Sequence, residues 1–108
     1  MKATIILPTY NEAKTIESLI RQLTGQKGTQ IIVVDDNSPD RTGQIAEKLK
    51  KKYPVKVIHR PRKMGLSSAV AEGFAHAKTE IIGVMDADLS HPPQLIPRLL
   101  KALKKADI

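Results

Sequence analysis

Four times in 108 residues a short, β-branched apolar run gives way to an amphipathic stretch. Strand-length runs alternating with helical periodicity predict the order βαβαβαβα. The strands fall near 3–8, 30–36, 55–60 and 80–86, and the helices near 12–25, 40–53, 66–78 and 92–105. Ile16, Leu19, Ile20 and Leu23 recur at i, i+3, i+4 and i+7, and Leu95, Ile96, Leu99, Leu100 and Leu103 repeat the pattern, so each of these helices buries one face. Ser38-Pro39 and His91-Pro92-Pro93 read as helix entries, because Ser caps orphan amides and Pro at the first position forfeits no hydrogen bond. Gly25 reads as the stop of the first helix. No linker interrupts the alternation, and at this length a single domain with a modest core is expected. The fold class that follows is α/β, a Rossmann-like open parallel sheet with right-handed crossovers and helices on both faces.

Sheets of this kind bind ligands beyond the carboxyl ends of their strands, where the strand order reverses. Those ends are Pro8-Thr9-Tyr10-Asn11-Glu12, Asp35-Asp36-Asn37-Ser38, His59-Arg60-Pro61-Arg62-Lys63 and Asp86-Ala87-Asp88. The polar residues thus gather on one edge, whereas an unselected surface would scatter its carboxylates. Two carboxylates at the mouth of a parallel sheet repel, and a divalent cation relieves that repulsion most simply. Such a site gathers diphosphates. Several neighbours read as local structure: Asp40 as a first-turn carboxylate favoured by the helix dipole, His59 as a strand end, His76 as helix surface, and His91 as part of a helix start. Gly65-Leu66-Ser67-Ser68-Ala69 reads as a small-residue helix start that lets the third helix approach the sheet.

Composition removes other classes. The net charge of +7, from 18 basic and 11 acidic residues, suits an anionic partner. With no Trp, one Phe and two Tyr, the chain lacks the stacking surfaces of single-strand nucleic-acid binders, so no nucleic-acid partner is expected. Lys48, Lys50, Lys51 and Lys52, and again Lys101, Lys104 and Lys105, read as solvated helix ends, while Arg60, Arg62 and Lys63 either draw phosphates toward the active edge or form a plain exposed loop. The absence of cysteine rules out disulfides and thiolate metal sites and suits a reducing compartment. The apolar runs are only strand-sized, so no membrane span or signal peptide is predicted and a cytoplasmic location is the expectation.

The set Pro8-Thr9-Tyr10-Asn11-Glu12, Val33-Val34-Asp35-Asp36-Asn37-Ser38-Pro39-Asp40, Gly65-Leu66-Ser67-Ser68-Ala69 and Met85-Asp86-Ala87-Asp88-Leu89-Ser90-His91-Pro92-Pro93 resembles family 2 glycosyltransferases of the GT-A fold. Within them it is similar to the dolichyl-phosphate (polyprenyl-phosphate) mannosyltransferase branch. The resemblance implies strand order 3-2-1-4 and mannose transfer from GDP-mannose, with inversion, to a lipid phosphate. It places Pro8, Tyr10 and Glu12 against the donor nucleotide and Val34 and Asp36 on its base and ribose. Asp86 and Asp88 become the metal-binding and catalytic pair, with Ala87 between them against the donor. Ser90 stands where some relatives offer Gln to the metal, and being shorter it leaves room for water in the shell of Mg2+ or Mn2+.

A UDP-sugar transferase and a non-catalytic nucleotide-binding fragment remain open on the sequence alone. A phosphoacceptor receiver module fits poorly, because there the acidic pair ends the first strand, whereas here a complete βα unit precedes it. Relatives of the GT-A type continue past the Asp-x-Asp helix into an acceptor-binding half. The chain therefore reads as one nucleotide-sugar-binding domain, 1–108, without the acceptor half, and weak or absent transfer is expected of it alone. An uncovered fourth strand predicts self-association at that edge, and a lipid acceptor predicts peripheral contact with the cytoplasmic membrane face.

Overall fold

The computed structural model describes residues 2–25 and 28–85. Within them the chain runs β1 (Ala3–Thr9), α1 (Ile16–Leu23), β2 (Thr29–Asp35), α2 (Thr42–Leu49), β3 (Val55–His59), α3 (Leu66–His76) and β4 (Ile81–Val84). The strands form one parallel sheet in the order β3-β2-β1-β4. The predicted fourth helix, with its His91-Pro92-Pro93 entry, lies outside the described residues.

Period-two alternation sorts the strand side chains onto two faces. Ala3, Ile5, Leu7, Ile31, Val33 and Val55 point to one face, where they meet Ile16, Leu19, Ile20 and Leu23 of α1 and Ala46 and Leu49 of α2. Ile6, Ile32 and Val34 point to the other and meet Ala69 of α3. All four apolar residues of the α1 stripe are fully buried, as their spacing predicts.

The seat of α3 depends on Gly73. A Cβ there would stand 2.6 Å from Ile6 Cγ2, so only hydrogen at this position lets the helix lie against β1. The small-residue start found in the sequence at 65–69 supplies Gly65 and Ala69, but the position with no room for a side chain against the sheet, Gly73, falls two turns into the helix.

Helix boundaries depart from the sequence reading at both carboxyl-edge corners. Helix α1 begins at Ile16 rather than near 12, because Asn11 adopts φ 60° and the amide of Glu12 is held by Thr42 Oγ1 at 2.9 Å. Residues 12–15 form a turn instead, closed by the amides of Thr15 and Ile16 on the Glu12 carbonyl. Helix α2 begins at Thr42 rather than at the Ser38-Pro39 entry, since Arg41 is left-handed at φ 71° and Ser38 is committed to Asp35. Past Leu49 it tightens into short turns at Lys50, Lys51 and Lys52. Gly25 follows the end of α1, yet the positive φ in that connection belongs to Gly28, at 83°.

A candidate nucleotide site at the carboxyl edge

Order 3-2-1-4 makes the chain reverse direction between β1 and β4, and α3 carries it back across the sheet. The described chain ends at the carboxyl end of β4, where the amide of Met85 donates to Ile6 O beside β1. This is the place where open parallel sheets take their ligands.

Asp35 and Asp36, adjacent in sequence, serve two separate corners. Asp35 Oδ1 accepts from Thr9 Oγ1 and from Ser38 Oγ, both at 2.6 Å, and its Oδ2 accepts the Ser38 amide at 3.0 Å. Ser38 Oγ in turn accepts the Asn11 amide at 3.0 Å. Asp40 extends the same fabric: its Oδ2 takes the Ala13 amide at 3.0 Å, and its Oδ1 takes the Thr42 amide and hydroxyl. Burial would raise the Asp40 carboxyl, but these donors outweigh it and hold the group below its ordinary value. Asp40 therefore lies two residues ahead of α2 rather than in its first turn, and it ties the loop after β1 to the loop after β2.

Asp36 turns toward β3. Arg60 Nε donates to its Oδ1 at 2.6 Å and Nη2 to its Oδ2 at 3.0 Å, and the Met64 amide adds a third bond to Oδ2 at 3.0 Å. The rest of the guanidinium is also used: Nη1 donates to Ser68 Oγ at 2.7 Å and Nη2 to Gly65 O at 3.2 Å. Side-chain exposure is 3% for Arg60 and 8% for Asp36. Burial would raise the Asp36 carboxyl, yet the Arg60 and Met64 hydrogen bonds, with the charges of Arg60 and Lys63, keep it below the ordinary carboxylate value. The same pairing pushes Arg60 up. Arg60 is thus neither an exposed loop cation nor a phosphate attractor. Of the basic trio after β3, Lys63 alone lines the cleft.

That cleft, about 260 Å³, is lined by Pro8, Thr9, Tyr10, Glu12, Asp36, Lys63, Gly65, Leu66 and Ala69. Tyr10 is 38% exposed, and Lys63 Nζ stands 4.8 Å from its ring centroid, spanning from the loop after β3 to the loop after β1. Of the residues singled out in sequence, Pro8, Tyr10, Glu12 and Asp36 meet here. The side chain of Val34 does not; it is fully buried beneath, with Ile6, Ile32 and Ala69. Asp86, Ala87, Asp88 and Ser90 lie outside the described residues. Arg60 was missed as a partner of Asp36, although register carries the signal: Asp35 stands opposite His59 across β2 and β3, which puts the next pair, Asp36 and Arg60, side by side.

A four-stranded parallel sheet of order 3-2-1-4, with a cleft beyond its carboxyl edge, defines a Rossmann-like architecture of the GT-A type. The chain belongs to Glycosyl transferase family 2, whose sequence model matches residues 4–108. It is 50% identical over 107 residues to the dolichol-phosphate mannosyltransferase of Pyrococcus furiosus, covering 96% of this chain and 30% of that protein. Among solved structures, the mannosyltransferase PcManGT from Pyrobaculum calidifontis, in complex with GDP-Man and Mn2+, superposes with a TM-score of 0.79 at 27% identity, over 91% of this chain and 30% of that one. S. aureus TarS 1-349 in complex with UDP-GlcNAc superposes with a TM-score of 0.74 at 33% identity, over 82% of this chain and 27% of that one. The chain therefore spans about a third of the length of the proteins it matches.

Proposed function

We propose that residues 1–108 form the donor-binding domain of an inverting glycosyltransferase, holding GDP-mannose and a divalent cation while mannose passes to a dolichyl-type lipid phosphate. The observation that carries this reading is the meeting of Pro8, Tyr10, Glu12 and Asp36 at one cleft beyond the sheet's carboxyl edge. The mannosyltransferase name of the Pyrococcus furiosus relative, together with the GDP-Man and Mn2+ in the PcManGT complex, supports the donor and the cation. The UDP-GlcNAc in the TarS complex favours a second reading, in which the donor is a UDP-sugar.

For the cation, the donor set would be the Asp86 and Asp88 carboxylates, with Ser90 beyond them. Hard oxygen ligands of this kind fit Mg2+ or Mn2+. Among the described residues no group of three or more His, Asp or Glu side chains competes for it. When bound, such an ion neutralises charge that develops on a diphosphate leaving group.

The chain's own groups bind and orient the donor. Pro8, Tyr10 and Glu12 would lie along the nucleoside, Asp36 would accept a hydrogen bond from it, and Lys63 would hold positive charge beside the phosphates. A lipid-phosphate acceptor is already ionised near neutral pH, so its attacking oxygen requires no general base. Such an acceptor would bring the chain to the cytoplasmic membrane face as a peripheral partner. No helix among the described residues is long and apolar enough to cross a membrane.

Calorimetric titration with GDP, UDP and their sugar forms, with and without Mn2+ or Mg2+, tests the proposal. GDP-mannose with cation is expected to bind tightest, and Asp88→Asn to abolish the cation-dependent part. Equal nucleotide binding in chelator and after that substitution would overturn the metal assignment.

A further inference from the structure

The sheet carries a second hollow at the edge opposite the cleft. It encloses about 430 Å³, against about 260 Å³ for the cleft, and lies between the starts of β1, β2 and β3 and the end of α3. Lys50, Lys56 and Lys78 line it together with the buried Ile31, Ile32 and Val55, and no Asp or Glu does. Helix dipoles account for part of this charge. Lys50 closes α2 and is paired with Glu47 at 3.3 Å, and Lys78 follows the end of α3. The dipoles do not account for Lys56, a residue of β3. Lys56 and Lys78 are both exposed, and among the described residues neither has a carboxylate partner. Two unpaired ammonium groups at one concave surface give it a positive field that draws anions.

We infer that this hollow is a second ligand site, for a small soluble phosphomonoester whose phosphate is held by Lys56 and Lys78 and whose organic body lies on the apolar part of the lining. The donor set selects phosphate over carboxylate. Ammonium groups act as point charges and suit a tetrahedral dianion, whereas a planar carboxylate is met best by a guanidinium fork, and no arginine lines the hollow. The Gln30 amide and the Tyr53 hydroxyl supply neutral donors in the same lining. His76 adds none while neutral, because its Nδ1 proton is spent on Glu72 O at 3.0 Å. A lipid headgroup would bring the same phosphate chemistry. The hollow and the cleft lie at opposite ends of the strands, however, so a membrane resting on the hollow would lie away from a lipid acceptor at the cleft.

The test is amide NMR titration of the 108-residue chain, without divalent cation, using phenyl phosphate, benzoate and inorganic phosphate as probes. Phenyl phosphate is expected to saturate, with shifts centred on Gln30, Lys56 and Lys78. Benzoate is expected to bind about threefold or more weakly, having one charge for two lysines. Inorganic phosphate is expected to bind about tenfold more weakly, having no apolar body to bury. Lys56→Gln and Lys78→Gln are each expected to weaken phenyl phosphate about threefold, while Lys14→Gln, which removes the same charge at the carboxyl edge, leaves it unchanged. Both lysines are exposed, so the variants keep the wild-type spectrum elsewhere. An equal loss in Lys14→Gln would mean a response to net charge alone and overturns the inference, as do absent saturation and equal binding of benzoate. Phosphatidylcholine vesicles containing phosphatidic acid distinguish the sources. They are expected to leave the Lys56 and Lys78 amides unperturbed, and vesicle binding that phenyl phosphate abolishes would assign the hollow to a headgroup and overturn the soluble ligand. None of these outcomes bears on nucleotide binding at the cleft, which is read separately with GDP and cation.

Discussion

The two corners of the carboxyl edge are built from neighbouring aspartates but held by different physics. At the corner between β1 and β2, Asp35 and Asp40 are satisfied by hydroxyls and backbone amides, none of them charged. At the corner between β2 and β3, Asp36 is satisfied chiefly by a guanidinium in a buried, two-pronged ion pair. Strand alternation sends the two carboxylates to opposite faces of the sheet, so one closes a loop-to-loop seam and the other lines the cleft. Adjacent identical residues thus divide into a fastening and a wall of the cleft.

The sharpest way to break this comparison is to remove one partner of the ion pair. Arg60→Met strands a buried carboxylate and is expected to cost about 3–5 kcal/mol of stability, measured by urea unfolding. Asp35→Asn keeps the size and surrenders the charged acceptor of three hydrogen bonds, with an expected cost of about 2 kcal/mol. A larger loss there than at Arg60 would mean that the neutral seam, not the ion pair, is the stronger fastening. Asp40→Ala, which removes the acceptor of the Thr42 amide ahead of α2 and the tie to Ala13, is expected to cost about 1 kcal/mol.

Titration separates the corners most finely. Both Asp36 and Asp40 are held below their ordinary values, so each contributes stability that is complete above the ordinary carboxylate range and lost as pH falls through that range and below it. Salt should distinguish them. Carbon-detected NMR titration at low and high ionic strength is expected to show Asp36 moving slightly up toward its ordinary value as the exposed Lys63 charge is screened, with the buried Arg60 pair holding, while Asp40, held by neutral donors, stays in place.

The periodic part of this architecture was legible before any coordinates. Two-residue alternation in Ile5-Ile6-Leu7 and Ile31-Ile32-Val33-Val34, and the α1 stripe, carry the sheet and its first helix, because burial on a regular element leaves a repeating trace. The cleft was legible as a location, since strand ends in such a sheet share one edge, and Pro8, Tyr10, Glu12 and Asp36 meet there. What escaped were features fixed by long-range hydrogen bonds. The start of α1 shifts because Thr42 reaches the amide of Glu12 across 30 positions of chain, and that of α2 because Arg41 is left-handed and Ser38 is committed to Asp35. Arg60 escaped because a basic residue beside Pro61 has the local signature of a solvated loop, and only the pairing of β2 with β3 sets it against Asp36.

The close seat of α3 on β1 reaches beyond packing. The first turn of that helix supplies Leu66 and Ala69 to one wall of the cleft, and β1 supplies Pro8 and Thr9 to the other. Since Gly73 rests on Ile6 with no room for a methyl group, the distance from helix to strand is fixed at that contact. The spacing between the two walls of the cleft is thereby gauged two turns away, by an atom the chain leaves out.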